Sequence, residues 1–334
     1  MPVPTMRAVQ AHAPGGPEVL VQRELPRPAA CPGQVLVRVM AFGLNRSELF
    51  TRRGWSPTVA FPRVLGIECV GVVAESYEPD LPEGTTVAAA MGGMGRVFDG
   101  SYAEYALLPA AQLMPVTTGL PWAVAAALPE SYLTAQGSLE ALEARPGQRL
   151  LIRAATSSVG MAALDLARRM GAETACTTRD PDRAESLRRH GADHVVLDDG
   201  ELAAGVAKIW PDGADRVLDL VGGPALRESL RATAAHGRVC NTGILSDSWT
   251  IPDFEPLEDI PSGVCLTTYA SSSINSGDGS ASALQAVLDQ VADGTLRPVI
   301  DRIFPFSRLA DAHSHMEGNH AIGKVVCLGY GIDQ

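Results

Sequence analysis

The sequence predicts an α/β protein in which a doubly wound parallel sheet is inserted in a β-rich domain. Three observations lead there: a change of hydrophobic period near Pro129, a strand–turn–helix unit beginning at Arg149, and a return to strand character at the C-terminal end. At 334 residues the chain is longer than one hydrophobic core usually supports, so two structural units are expected.

From Met6 to Pro115 apolar residues alternate in short runs broken by Gly and Pro: VLVQREL (Val19 to Leu25), QVLVRVMA (Gln34 to Ala41), CVGVVAESY (Cys69 to Tyr77), TTVAAAM (Thr85 to Met91) and YAEYALLP (Tyr102 to Pro109). Period-2 alternation marks half-buried strands, and a succession of them marks a barrel or sandwich. After Pro129 the pattern becomes strand and helix in turn. A helix is expected around Ser131 to Ala144, then a strand at Arg149 to Arg153, a helix from Ser158 closed by Gly171, and strands at Glu173 to Thr178, His194 to Leu197, Asp215 to Leu220 and Gly237 to Asn241. A further helix is expected over Pro181 to His190. Such alternation requires parallel strands joined by right-handed crossovers. Beyond Asp247 the chain is irregular, then gives GVCLTTYA (Gly263 to Ala270), a helix at Ser282 to Asp293 and a last strand at Gly323 to Gly329. This tail is expected to complete the first domain, with boundaries at 1–128 and 268–334 around an α/β unit at 129–267.

Composition excludes several function classes. A formal charge of −11 opposes binding to a nucleic-acid backbone, whose affinity comes from clustered Lys and Arg. The apolar stretch Trp122 to Leu128 is too short to cross a bilayer, and MPVPTMRAVQ lacks a basic start followed by an apolar run. The six cysteines are scattered singly, without the close pairs of a zinc ribbon, so a reduced cytoplasmic setting is expected.

Ala155, Ser157 and Gly160 take the three small-residue places of a dinucleotide-binding turn: one for the bend, one for approach to the pyrophosphate, one for helix–strand packing. Only Gly160 is glycine, so the placement between strand and helix carries the reading, because backbone N–H groups at a helix N-terminus favour phosphate. The alternative is an ordinary turn with Ser157 or Ser158 as helix cap. At the end of the second strand the chain reads TTRDPDR; Arg179 and Arg183 there suit a 2′-phosphate, so NADPH is expected over NADH. Asp180 could instead take a ribose, and Arg183 could pair with Asp182 or Glu185.

Seven stretches together resemble one family, the zinc-independent quinone oxidoreductases of the medium-chain dehydrogenase/reductase superfamily. They are GLNRSELFTRRG (Gly43 to Gly54), VLGIECVGVV (Val64 to Val73), GSYAEYALLP (Gly100 to Pro109), SYLTAQGSL (Ser131 to Leu139), the turn AATSSVG, DLVGG (Asp219 to Gly223) and DAHSHMEGNHAIGKVV (Asp311 to Val326). The resemblance implies a GroES-like catalytic domain formed by both chain ends around a Rossmann cofactor domain. It implies a cofactor surrounded by Asn45, Thr134, Ser157, Ser158, Val159, Gly160, Thr178, Arg179, Arg183, Gly243, Asn319 and Lys324, with Asn45 and Thr134 at the nicotinamide end. Zinc-containing relatives have Cys in place of Asn45 and His in place of Ile67, so no metal is expected, and Glu68 is expected to be a buried structural carboxylate. His313, His315 and His320 belong to the family's terminal motif rather than to a metal cluster.

Without a metal, conjugated acceptors are favoured, since hydride arrival spreads charge onto a distant oxygen. Hydrogen bonds from Asn45, Arg52 or Tyr132 are candidates for receiving that charge. Phe50 stands where some family members carry an aromatic hydroxyl, and no general acid is assigned. The readings are NADPH-dependent reduction of a small hydrophobic quinone or conjugated carbonyl, reduction of an enal, enone or enoyl double bond, and, from another class, non-catalytic NADPH binding or RNA binding. A homodimer pairing through GVCLTTYA as a sheet edge is the family expectation.

Overall fold

A computed structural model describes residues 3–274 and 279–333. The chain divides into two units: Met1–Leu133 with Ser272–Gly294 and Ile300–Gln334, and Thr134–Ser271 with Thr295–Val299.

The first unit is built on strands β1 (Thr5–Ala11), β2 (Leu20–Pro26), β3 (Gln34–Leu44), β4 (Arg63–Val64), β5 (Glu68–Glu75), β6 (Thr86–Ala90), β7 (Tyr105–Pro109) and β8 (Met114–Pro115). Its short helices are α1 (Arg46–Arg52) and α2 (Trp122–Ala126), and α3 (Pro129–Ala141) carries the chain onward. The second unit follows with β9 (Arg149–Arg153), α4 (Ser158–Met170), β10 (Glu173–Thr178), α5 (Ala184–Arg189), β11 (His194–Leu197), α6 (Leu202–Ala207), β12 (Ala214–Asp219), α7 (Leu226–Arg231), β13 (Thr233–Asn241), α8 (Pro256–Asp259) and β14 (Cys265–Thr268). The chain then returns to the first unit with α9 (Ser280–Ala292), β15 (Ile300–Phe304), α10 (Leu309–Glu317) and β16 (Lys324–Leu328).

In the second unit the strand order is β11-β10-β9-β12-β13-β14, and every pairing is parallel. Order reverses beside β9, which places the turn after β9 at the crevice where such sheets bind ligands. The core under this sheet is Leu151, Ala175, Val217, Leu230 and Val239 with Trp210; each fully buried Leu or Val stabilises by about 1.5–3 kcal/mol. β14 forms the sheet's edge. It therefore belongs to the cofactor unit, and the tail that completes the first unit starts after it. Parallel register beside β13 decides this, which a lone short strand in the sequence does not reveal.

In the first unit β15-β16-β3-β5-β6-β8 form one sheet with β7 also on β3, and β2-β1-β4 form a second. β16 lies antiparallel to β3, with Val326 opposite Gly43 and Val325 opposite Leu44. That pairing delivers Lys324 to the end of β3, where α1 begins. Val37, Phe42, Val73, Leu108, Leu309 and Cys327 pack in the shared core. Among the described residues no helix is long and apolar enough to cross a membrane.

Candidate active site

The turn after β9 has the strand-to-helix shape its sequence implies. Ala155 N–H donates to Thr177 O at 3.1 Å, which ties the end of β9 to β10. Ser157 caps α4: its Oγ accepts from Gly160 N–H at 3.2 Å and donates to Ala154 O at 2.9 Å. The Ser157 hydroxyl is thus spent on the turn, as the capping alternative holds. The N–H groups of Ser158 and Val159 have no intrachain acceptor among the described residues, and both residues are partly exposed. They open the N-terminus of a 13-residue helix, where the dipole favours an anion. A Cβ on Gly160 would sit 2.6 Å from Ala155 O and 2.7 Å from its Cα, so only glycine permits this helix–strand approach. Ala154 occupies φ 58°, a left-handed conformation that suits glycine.

At the end of β10 Thr178 is buried, and its Oγ1 accepts from Asp180 N–H at 3.1 Å. The Asp180 carboxylate caps Asp182 N–H and pairs with Arg183 Nε at 3.2 Å. Arg179 is exposed, with no side-chain partner among the described residues. Gly243 lies against Leu220, where a Cβ would meet Leu220 O at 2.1 Å. Its N–H reaches Asp219 O at 3.2 Å, beside the DLVGG turn in which buried Asp219 accepts from Val221 and Gly222 N–H. Thr134 and Tyr132 are both buried on α3.

In the first unit, Asn45 is the N-cap of α1 and Lys324 the first residue of β16. Their side chains meet, with Lys324 Nζ donating to Asn45 Oδ1 at 2.6 Å and lying 2.6 Å from Glu68 Oε1 and 3.7 Å from Glu130 Oε2. Asn45 Nδ2 donates to Glu68 Oε1 at 2.8 Å and to Glu48 Oε1 at 3.4 Å, and Glu130 N–H donates to Glu68 Oε2 at 2.9 Å. Lys324 is 2% exposed. The ammonium is committed to this cluster and does not face solvent, at a position where the sequence suggests a cofactor contact. Asn45 is corrected as a donor to substrate, because both its amide hydrogens already point at carboxylates.

Gly43 makes the arrangement possible: a Cβ there would lie 2.2 Å from Lys324 Cε and 2.5 Å from Glu68 Oε1. Burial pulls the Lys324 ammonium down, but the charges of Glu68 and Glu130 outweigh it and it titrates above the ordinary lysine value. Burial and the neighbouring Glu68 push the Glu48 carboxyl up to about 8. Sequence reasoning missed Glu48 and Glu130. Glu48 had a signal, standing three residues after Asn45 as the back-reaching member of a capping box, its Oε2 accepting from Asn45 N–H at 3.1 Å. Glu130 had none.

Arg52 is also corrected. It is fully buried, with Nε donating to Gly15 O at 3.1 Å, a second nitrogen to His313 Nδ1 at 3.1 Å and a third to Glu317. Its fork is filled by the protein and offers nothing to a substrate oxygen. Because guanidinium only donates, His313 Nδ1 accepts, and its proton lies on Nε2, facing Tyr102 Oη at 2.9 Å. Burial, with the Arg52 charge, lowers His313 to about 3. Asn319 is exposed at φ 54°, its Oδ1 accepting from Arg46 at 3.1 Å. His315 pairs with Asp301 at 2.6 Å.

Residues 31–118 match the alcohol dehydrogenase GroES-like domain and residues 190–327 the zinc-binding dehydrogenase family. Quinone oxidoreductase of Mus musculus is 30% identical over 97% of this chain and 98% of its own length. The chain belongs to the quinone oxidoreductase family of the medium-chain dehydrogenase/reductase superfamily. A 2-haloacrylate reductase of Burkholderia sp is 28% identical over 96% of this chain and 98% of its own. A NAD-dependent alcohol dehydrogenase of known structure superposes with a TM-score of 0.85 at 30% identity, covering 97% of this chain and 99% of that one. Membership makes the chain an oxidoreductase that binds a nicotinamide cofactor, with a Rossmann sheet inserted in a GroES-like β-rich domain. The zinc of zinc-binding dehydrogenases does not fit these residues. Asn45 offers a neutral amide and Ile67 a hydrocarbon, and Glu68 already holds an ammonium.

Proposed function

We propose that this enzyme uses NADPH to reduce a quinone or similar conjugated carbonyl acceptor without a metal. The observation that carries the reading is the Lys324 ammonium held between Asn45 and Glu68, at the residue where zinc-containing relatives supply a thiolate. A buried cation already occupies the carboxylate, and a divalent ion there would meet repulsion as well as missing ligands. Reduction of a simple ketone then lacks several kcal/mol of Lewis-acid stabilisation, whereas a quinone or enone delocalises the arriving charge itself.

A nicotinamide cofactor supplies hydride when bound. The chain's residues bind and orient it: Ser158 and Val159 N–H groups for pyrophosphate, Gly160 for close approach, Arg179 for a 2′-phosphate, and Thr178, Thr134 and Gly243 as surrounding contacts. Exposed Arg179 and the engagement of Asp180 with Arg183 support NADPH over NADH. Tyr132 is the remaining candidate for contact with the acceptor. The relative that acts on 2-haloacrylate favours a second reading, reduction of an activated carbon–carbon double bond. The outer edge of β14 supports pairing of two copies into a homodimer. Buried thiols at Cys69, Cys176, Cys240 and Cys327 support a reducing, cytoplasmic setting.

NADPH oxidation measured in parallel against 9,10-phenanthrenequinone, 1,4-benzoquinone, 2-alkenals and crotonyl thioesters tests the reading. Turnover of at least one quinone is expected. NADPH binding without turnover of any acceptor would point to a non-catalytic protein.

A further inference from the structure

Arg153 has no part in the reading above. It is the last residue of β9, directly before the turn into α4, and it is 4% exposed. Arginine is rarely buried unless it is paired, and here its pairing runs in two directions. Nε and one terminal nitrogen donate to the two oxygens of Asp198, at 2.7 and 2.9 Å. The other terminal nitrogen donates to Ser229 Oγ at 3.1 Å and to Ala225 O. That nitrogen also lies 3.8 Å from Asp219 Oδ2, which accepts the Ser229 hydroxyl.

The two arms end on opposite sides of the point where the strand order reverses. Asp198 follows β11, and its N–H donates to Thr178 O at 2.9 Å, at the end of β10. The first arm therefore braces the half formed by β9, β10 and β11, to which Thr178 and Arg179 belong. Ala225 and Ser229 follow β12. Asp219 Oδ1 accepts from Val221 and Gly222 N–H at 2.8 and 2.7 Å, and the Asp219 carbonyl accepts from Thr242 N–H at 2.9 Å. The second arm therefore braces the half formed by β12, β13 and β14, with its loops at 219–223 and 242–243. Arg153 stands opposite Asp219 in register, and β10 lies between β9 and β11, so the side chain spans the end of β10 to reach Asp198.

In the doubly wound order each three-strand half takes one mononucleotide, and a dinucleotide lies across the crevice between the halves. Such a ligand binds as two joined ligands, and the gain from joining them is lost unless the two subsites stand at the span of the link. A buried ion cluster adds little net stability over packed hydrocarbon, whereas a planar fork on fixed partners sets a distance. We propose that Arg153 is a positioning residue for the cofactor, tying the two mononucleotide halves of this unit at the spacing the whole dinucleotide needs. Its nitrogens are taken by protein groups, so it acts through Asp198 on one side and through Asp219 and Ser229 on the other. This rests on the family's nicotinamide cofactor and holds for NADPH and NADH alike.

The test compares the whole cofactor with its adenosine half by calorimetric titration, using NADPH with 2′,5′-ADP and NADH with AMP, in the wild type, Arg153→Met, Asp198→Ala and the double variant. Arg153→Met removes both arms and leaves buried carboxylates without their cation. Asp198→Ala cuts one arm and keeps the guanidinium beside Asp219, so it carries the test if Arg153→Met does not fold. Both single variants are expected to bind the dinucleotide about 10- to 100-fold more weakly, part of the gain on the order of 10²–10⁴ that joining two binding halves supplies, with the matching half-ligand unchanged within about threefold. The double variant should lose no more than Arg153→Met, because one tie is cut in both. Equal losses for dinucleotide and half-ligand would confine the effect of Arg153 to the adenosine half and overturn the proposal. Unchanged dinucleotide affinity in Asp198→Ala would overturn it as well. If the wild type prefers NADH, the NADPH reading falls, and the tie is judged by the same ratio on NADH and AMP.

Discussion

Replacing Lys324 by methionine strips the ammonium from a site that keeps Glu68, Glu130 and Glu48 buried around it. Lys324 Nζ is 2.6 Å from both Asn45 Oδ1 and Glu68 Oε1, at 2% exposure, so solvent cannot take over its role. Removing one member of a buried pair leaves an uncompensated charge and costs about 3–5 kcal/mol. For a unit of this size each kcal/mol lowers the midpoint by roughly 2–4 °C, so the first unit should melt about 10 °C earlier. Glu68→Gln alone should also destabilise, because the ammonium loses its nearest countercharge. Lys324→Met with Glu68→Gln removes both charges, and the pair should lose less than the sum of the singles, a coupling of about 1–3 kcal/mol. Urea and thermal unfolding followed by circular dichroism measure all four proteins, fitted as two transitions if the units melt apart. A Lys324→Met protein within about 1 kcal/mol of wild type, or strict additivity in the double variant, would refute the buried cluster and reopen Lys324 as a cofactor ligand.

Other outcomes follow from the same geometry. Glu48 is an acid raised from 4.5 to about 8, so between those values the native state keeps a proton the unfolded chain releases. Stability should fall as pH rises from about 6.5 to 8, where His313 does not offset the effect, and Glu48→Gln should flatten the dependence there; a wild-type curve that rises over that interval would contradict it. His313, lowered from 6.5 to about 3, acts in the opposite sense: between 4.5 and 6.5 the two cancel, and below 4.5 stability should fall as pH drops because the unfolded chain holds a proton the native state refuses. Ala154→Gly relieves a left-handed alanine at φ 58° and should stabilise the second unit by roughly 0.5 kcal/mol after the entropy of the added glycine. A loss of stability there would show the turn to be otherwise built. Arg179→Ala with Arg183→Ala should raise KM for NADPH at least tenfold more than for NADH, and an unchanged ratio would remove the 2′-phosphate contact.

The cofactor unit was legible because its signals are local. The strands at Arg149 to Arg153 and Glu173 to Thr178 have the bounds their apolar runs give, and α4 ends where Gly171 adopts φ 82°. Ser157 told both stories at once, since the same hydroxyl that caps the helix leaves the next two N–H groups open. The catalytic unit was legible in its strands and not in its polar contacts. Lys324 reads in the sequence as a cofactor contact at the start of a strand, and only its partnership with Asn45, 279 residues earlier, reveals it as buried. Arg52 likewise looks available on a short helix until α10 brings His313 and Glu317 to it; that helix, polar in DAHSHMEGNH, gave no apolar run to announce it. Register across a sheet decided β14 as well, a four-residue strand whose neighbour the sequence does not name.

The proposed metal-free reduction of a conjugated acceptor by NADPH is measured most directly as NADPH oxidation with 9,10-phenanthrenequinone by protein dialysed against a chelator, with metal content determined on the same sample. Undiminished turnover in protein containing far less than one metal ion per chain is the expected result. Activity that vanishes on chelation and returns with zinc would contradict it.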